Sequence, residues 1–306
     1  METDHTFQRA LVIANPGSGR ANREKLEAAL DRHAGAIELR IRWLGEGEDA
    51  ETVAREGLRS SAGNRSGFDL VVAAGGDGTV SAVARAAVEV DIPIAIAPMG
   101  TANQLAVQLR VPGDLSGALR LLSEGGAIRR IDAMEIDGRL HLLNAGIGLS
   151  AQTVHDVPAD DKRRFGLFAY LWTGVTRSFS FTPVLCTISV DDDVQQLRAL
   201  DVSIINAGFR EGKQVPGFPS VDPDDGRLNV LTVWAPSASE YLAHLWRAFT
   251  LWRRVNPNIK WSVAQREVRI ECAEPTPIQA DGDLIGETPV TVRIVRSAVG
   301  VLVPAG

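Results

Sequence analysis

Residues 10–122 alternate between short apolar runs and helix-forming runs, and this alternation constrains the fold more than any other feature of the chain. "ALVIA" (10–14) is followed by "REKLEAALDRH", where Leu26, Ala29, Leu30 and His33 recur at helical spacing. "AIELRIR" sets Ile37, Leu39 and Ile41 on one face of a strand, and Ala50, Val53, Ala54 and Leu58 mark the helix after it. "DLVVAA" (69–74) leads into Val80, Val83, Ala84, Ala87 and Val88. "IPIAIA" (92–97) leads into a helical run and then Leu115, Ala118, Leu119 and Leu122. Repeated strand–helix units predict a parallel sheet with helices on both faces.

After "SEGGAIRR" (123–130) strand-like runs follow one another: "AIRRIDAMEI", "RLHLLNAG", "PVLCTISV", "LRALDVSIINA", "RLNVLTVW", "KWSVAQREVRIEC", "PVTVRIV" and "VGVLVP". That pattern predicts a largely antiparallel sandwich or barrel. The expected division is an α/β nucleotide-binding domain over residues 1–127 and a β-rich domain over 128–306, with the last strand free to return to the first domain. Two helical runs interrupt the second half. One, 162–178, carries Phe165, Phe168, Leu171, Trp172 and Val175 behind Lys162, Arg163 and Arg164. The other, 237–254, opens on a Ser237–Glu240 capping box, sets Leu242, Leu245, Trp246, Phe249 and Trp252 along one side, and ends in Arg253 and Arg254. Such stripes serve a core or an interfacial surface.

Three glycine-bearing junctions follow the apolar runs: "NPGSG" (15–19), "GGDGT" (75–79) and "PMGTANQLA" (98–106). In a parallel sheet, ligands bind beyond the carboxyl ends of the strands, where glycine lets backbone N–H groups approach a phosphate and the next helix points its positive end the same way. Thr79, Ser81 and Thr101 add hydroxyl donors. Asp77 is itself anionic and suits a metal ion or a hydroxyl better than a phosphate. No GxxxxGK[ST] lysine loop and no GxGxxG after a strand occurs, so the expected ligand is an anhydride-bearing nucleotide held by backbone and hydroxyls.

A formal net charge of -6 argues against a nucleic-acid partner, which needs a basic surface. No apolar stretch is long enough to span a bilayer, and no basic-then-apolar leader opens the chain, so the expectation is a cytoplasmic protein with room for peripheral membrane contact. Cys186 and Cys272 each sit in an apolar run, outside any CxxC, and read as buried free thiols. The histidines form no metal-binding spacing and no serine lies in a GxSxG elbow, so a hydrolase has no support.

These motifs resemble the lipid kinase family of diacylglycerol, sphingosine and ceramide kinases, particularly its short bacterial members. The likeness runs nearly end to end through "NPGSG", "GGDGT", "APMGTANQLA", "RRIDAMEIDG", "LNAGIGLSA", "DDKRRFGLFAYL", "PDDGRLNVLTV", "QADGD" and "VGVLVP". It implies a two-domain, NAD-kinase-like phosphotransferase with the nucleotide between an α/β domain and a β-rich domain. Carried over residue by residue, it implies ATP binding by Asn15, Pro16, Gly17, Ser18 and Gly19, by Gly75, Gly76, Asp77, Gly78, Thr79, Val80 and Ser81, and by Gly100 and Thr101, with Asn103 supporting that loop. It implies a general base at Asp283, with Asp281 beside it and Asp77 the acid nearest the phosphates. A structural Mg²⁺ is implied at Asp225 by its side chain and at Asp222 and Arg227 by carbonyls, with Asp132 in the surrounding network. Two positions depart from the family pattern: Gln104 replaces an aspartate and Asp283 replaces a glutamate. The implied acceptor is a diacylglycerol-like lipid met at a membrane surface, and a homodimer is compatible with this reading. The alternatives are another lipid such as a sphingoid base, a soluble acceptor of the NAD type, and a nucleotide- or lipid-binding protein without turnover.

Overall fold

The computed structural model describes residues 7–18, 23–59, 67–148, 183–208, 221–234 and 259–305. The chain divides into two compact units, Met1–Ala133 with Val295–Gly306, and Met134–Ile294.

In the first unit the strands are β1 (Arg9–Ala14), β2 (Glu38–Trp43), β3 (Leu70–Gly75) and β4 (Ile94–Pro98), and the helices α1 (Arg23–His33), α2 (Ala50–Leu58), α3 (Asp77–Val88), α4 (Gln104–Gln108) and α5 (Leu115–Glu124). β1 pairs in parallel with β2 and β3, and β3 in parallel with β4. β3 and β4 are buried at every position, as strands covered on both faces must be, whereas β2 alternates exposed and half-buried residues at the sheet edge. Leu26 and Leu30 of α1 and Leu119 of α5 pack with Val12, Val72 and Ala95 in one core. Leu11 points the opposite way, toward Gly57 of α2, where a Cβ would come within 2.7 Å of it. Helices therefore cover both faces, as the alternating pattern predicts. Local signals set their ends: Asp49 accepts from Thr52 N (2.9 Å) before α2, Asp114 accepts from Gly117 N (2.8 Å) before α5, and Gly125 takes a left-handed φ of 80° after it.

β5 (Ala127–Ile136) and β16 (Val290–Val303) each run through the unit division. The second unit adds β6 (Arg139–His141), β7 (Asn144–Gly148), β8 (Val184–Val190), β9 (Asp193–Ala199), β10 (Asp201–Ile205), β11 (Leu228–Val233), β12 (Ile259–Ala264), β13 (Glu267–Cys272), β14 (Pro277–Ala280) and β15 (Asp283–Glu287). Six of these form an antiparallel sheet in the order β12-β11-β10-β7-β14-β15. The start of β16, β13, β8 and β9 form the opposing layer, also antiparallel. Ile147, Val202, Ile204 and Val230 from the first sheet and Ile188, Val268, Ile270 and Val292 from the second fill one core. The second unit is the antiparallel sandwich expected.

Three details differ from the sequence reading. Cys186 and Cys272 are not free thiols: they face each other across β8 and β13, with Cα atoms 4.0 Å apart, and form a disulfide. Their separation of 86 residues gave no sign of that pairing. "PVTVRIV" and "VGVLVP" belong to one strand, β16, which holds Ser297 in a left-handed conformation (φ 50°). The hairpin β14–β15, which contains "QADGD", has no strand-like apolar alternation long enough to mark it.

Candidate active site

The three glycine junctions leave the sheet at one level. Ala14 lies opposite Ala74, Ala74 opposite Ala97, and Gly75 opposite Pro98, so parallel register alone brings the loops after β1, β3 and β4 to the same edge. Hydrogen bonds then tie them together. Asn15 N donates to Ala74 O (2.9 Å), Asn15 Nδ2 to Thr79 Oγ1 (3.1 Å), and Gly17 N to Asn15 Oδ1 (2.8 Å). Met99 N and Gly100 N both donate to Gly75 O, at 2.9 and 3.2 Å. Asn103, left-handed at φ 48° and buried, clasps its own loop: Gly100 N donates to its Oδ1 (3.0 Å) and its Nδ2 donates to Gly100 O (2.9 Å). Asp77 opens α3 and accepts from Leu105 N (3.3 Å), linking the second loop to the third.

These contacts explain the glycines individually. A Cβ on Gly75 would lie 2.5 Å from Thr79, and one on Gly100 would lie 2.5 Å from the Gly76 Cα, so the loops close only on bare backbone. Gly78 is different. It is exposed in the first turn of α3, and a Cβ there would meet nothing within 4 Å. Pro16, Gly17 and Thr101 are exposed and Ser18 is half-buried, while Thr79, Val80 and Ser81 are buried along α3. Gln104 is exposed at the start of α4. Gly19 lies outside the described residues, as do the runs 162–178 and 237–254. At the same edge stands a group that the sequence did not single out. Trp43 lies opposite Ala14, carries the Arg23 guanidinium 4.5 Å above its ring, and donates Nε1 to Glu27 (3.3 Å). Its only sequence signal was a tryptophan at the end of a strand.

In the second unit, "QADGD" folds as the end of β14, a two-residue turn at Asp281 and Gly282, and the start of β15. Both turn residues have positive φ, 50° and 93°, as a mirror-image hairpin turn requires and an Asp-Gly pair provides. The two aspartates therefore have different surroundings. The Asp281 carboxylate is buried and accepts from Leu142 N (2.8 Å), Leu143 N (2.8 Å) and Asn144 N (3.3 Å), with His141 Nδ1 3.9 Å from its Oδ2. Asp283, first in β15, is exposed. "LNAG" and "QADGD", far apart in sequence, are thus held together. Gln279, to which its motif assigns no role, joins them: its Nε2 donates to Asn144 Oδ1 (2.9 Å) and its Oε1 accepts from Gly282 N (3.1 Å).

The residues implied for a metal are placed less compactly. Asp222, Asp225 and Arg227 are exposed on the loop before β11, where Asp225 Oδ1 accepts from Arg227 N (3.0 Å). Asp132 is 2% exposed in the first unit and accepts from Ser297 N (2.7 Å). Among the described residues no group of three or more His, Cys, Asp or Glu side chains gathers to hold an ion. Loop oxygens of this kind still suit a hard divalent cation bound through one carboxylate and backbone carbonyls. No helix among the described residues is long and apolar enough to cross a membrane.

Glycine loops at one edge of a parallel sheet, in one chain with an antiparallel sandwich, match the architecture of the NAD-kinase-like phosphotransferases, and the family matches give the class. Residues 9–136 match the diacylglycerol kinase catalytic domain, and residues 144–303, more than half of the chain, match the YegS C-terminal NAD kinase beta sandwich-like domain. The chain therefore belongs to the YegS-like lipid kinase family, and it is a kinase. Similar to it are a "probable lipid kinase YegS-like" of Pseudomonas syringae pv. syringae, 32% identical over 76% of this chain and 73% of that protein, and a protein of Staphylococcus carnosus named "putative lipid kinase", 24% identical over 97% of each. A solved structure described as a diacylglycerol kinase from Bacillus anthracis str. Sterne shares the fold, with a TM-score of 0.75 and 24% identity over 98% of both chains.

Proposed function

We propose that this kinase transfers the γ-phosphoryl group of ATP to the hydroxyl of a diacylglycerol-like lipid, yielding a phosphatidic-acid-like product and ADP. The observation that carries the nucleotide half is the level edge of three loops, with Gly78 bare and exposed at the N-terminus of α3. Backbone N–H groups of Gly76 and Gly78, the positive end of α3 and the Thr101 hydroxyl are the groups that would hold the phosphates there. A structural Mg²⁺ would be held by the Asp225 side chain with the Asp222 and Arg227 carbonyls; a separate Mg²⁺ accompanying the nucleotide, with Asp77 the nearest acid, would supply positive charge against the phosphate oxygens.

The transfer needs positioning more than covalent chemistry. The acceptor oxygen forms a bond to the γ-phosphorus as the bond to the bridging oxygen breaks, ADP leaves, and the hydroxyl proton passes to the Asp283 carboxylate. Asp283 suits this role because it is exposed, whereas Asp281 is already occupied by three backbone donors. A lipid acceptor has to be reached in a bilayer, so peripheral membrane contact is part of the reading.

The test is transfer of labelled γ-phosphate from Mg-ATP into a total lipid extract in mixed micelles, with the organic phase resolved by chromatography. A labelled phosphatidic acid supports the proposal. Label in a sphingoid-base phosphate instead, or confined to the aqueous phase, overturns it in favour of another lipid or a soluble acceptor.

A further inference from the structure

We infer that Gln279 is a positioning residue for the proton-accepting carboxylate, because its amide holds the central peptide of the Asp281–Gly282 turn and so sets the direction in which Asp283 leaves it. The inference rests on the reading of Asp283 as the base.

A two-residue hairpin turn has one weak point. Its turn types differ mainly by rotation of the peptide between the two central residues, here the Asp281–Gly282 peptide. The N–H of that peptide belongs to Gly282 and makes no ladder bond. In this structure it donates to Gln279 Oε1 at 3.1 Å. The residue before it is fixed from the other side, since Asp281 N donates to Asn144 O (2.9 Å) and the Asp281 carboxylate takes the three N–H groups of 142–144. Rotation of the central peptide would break the Gln279 bond, and Asp283 follows immediately.

Stability alone does not call for an amide at this position. Gln279 is 4% exposed on a strand whose neighbours Ile278 and Ala280 are apolar and buried, and an aliphatic chain of equal length would fill the space without desolvating two polar groups. Its cross-strand partner on β7 is Gly146, which leaves room for a long side chain to turn along the sheet toward the hairpin. The amide is also oriented. Nε2 donates to Asn144 Oδ1 at 2.9 Å, so Oε1 is the end presented to Gly282. Asn144, Gln279 and Gly282 thus form a relay from the sheet to the turn.

Two variants of the full chain test this, with kcat, KM for ATP and thermal unfolding measured in the mixed-micelle assay. Gln279→Met keeps the volume and loses both bonds. It should lower kcat about 10- to 100-fold while KM for ATP stays within about twofold, at temperatures well below unfolding. Gln279→Glu keeps an acceptor for Gly282 N in either protonation state and, once ionised, loses only the donation to Asn144 Oδ1, so its kcat should lie well above that of Gln279→Met. A kcat for Gln279→Met within about twofold of the parent, or a Gln279→Glu kcat no higher than that of Gln279→Met at equal folded fraction, overturns the inference. Failure of the base reading has a separate signature, an Asp283→Asn variant that turns over at the parent rate.

Discussion

Gly78, in the first turn of α3, and Gly100, in the loop after β4, are two glycines for which the structure predicts opposite behaviour on gaining one methyl group. A Cβ on Gly100 would sit 2.5 Å from the Gly76 Cα and 2.8 Å from Asn103 Oδ1. Ordinary carbon contacts begin near 3.5 Å, and the obstruction at Gly76 is backbone that no rotamer can relieve, so the loops must part by about 1 Å. Overpacking of that kind costs about 1–3 kcal/mol. Gly78→Ala meets nothing within 4 Å and replaces a glycine at a helical position, so the free protein should be as stable as the parent or more stable by up to about 1 kcal/mol. If a phosphate approaches α3 there, the methyl group occupies its place and ATP binding should weaken about 10- to 100-fold. The two effects separate in a thermal or urea unfolding series with and without ATP, backed by direct titration. At an ATP concentration 100 times the parent Kd, ligand stabilises the parent by about 2.7 kcal/mol; for Gly78→Ala the same concentration should give about 1.4 kcal/mol at a tenfold loss and about 0.4 at a hundredfold loss. A Gly78→Ala protein that binds ATP within twofold of the parent refutes phosphate binding at the start of α3. A Gly100→Ala protein of unchanged stability refutes the close loop approach.

Asp283→Asn should retain ATP affinity and lose about 10²- to 10⁴-fold in kcat, measured by single-turnover transfer; comparable turnover would move the proton acceptor elsewhere. Asp281→Ala strips the acceptor from three backbone N–H groups and should destabilise the second unit by about 3 kcal/mol or more, read as a fall in the unfolding midpoint, and a neutral effect would mean that these donors find other partners. Asp191 provides a pH test. Burial pushes its carboxyl up, but N–H donors from Gln265, Glu267 and Arg266 and the nearby Arg266 charge outweigh burial and hold it below the ordinary carboxylate range. The unfolded chain then binds the proton more readily, so the stabilisation is complete above pH about 4 and is lost as pH falls below that value. Asp191→Asn should cost about 1–2 kcal/mol in urea unfolding at pH 7 and progressively less toward pH 3, and a gap independent of pH would contradict the assignment.

The sequence by itself determined the class of each half. A helix-period pattern after each apolar run leaves a parallel sheet as the way to bury both faces of β1, β3 and β4, and that sheet, with register fixed by its buried strands, carries "NPGSG", "GGDGT" and "PMGTANQLA" to one edge. Those properties are local, because periodicity and glycine act within a few residues. The remaining features depend on which strands become neighbours. Cys186 meets Cys272 only because β8 and β13 pair, and Asp281 faces the 142–144 backbone only because β14 lies beside β7. "QADGD" alone could not separate its two aspartates, since on a strand they share a face and at a turn they do not. The mirror-image turn made one a buried anchor and left the other exposed, with Gln279 behind it. Long-range pairing, which no spacing within the chain encodes, decided which carboxylate was buried against backbone donors and which was exposed.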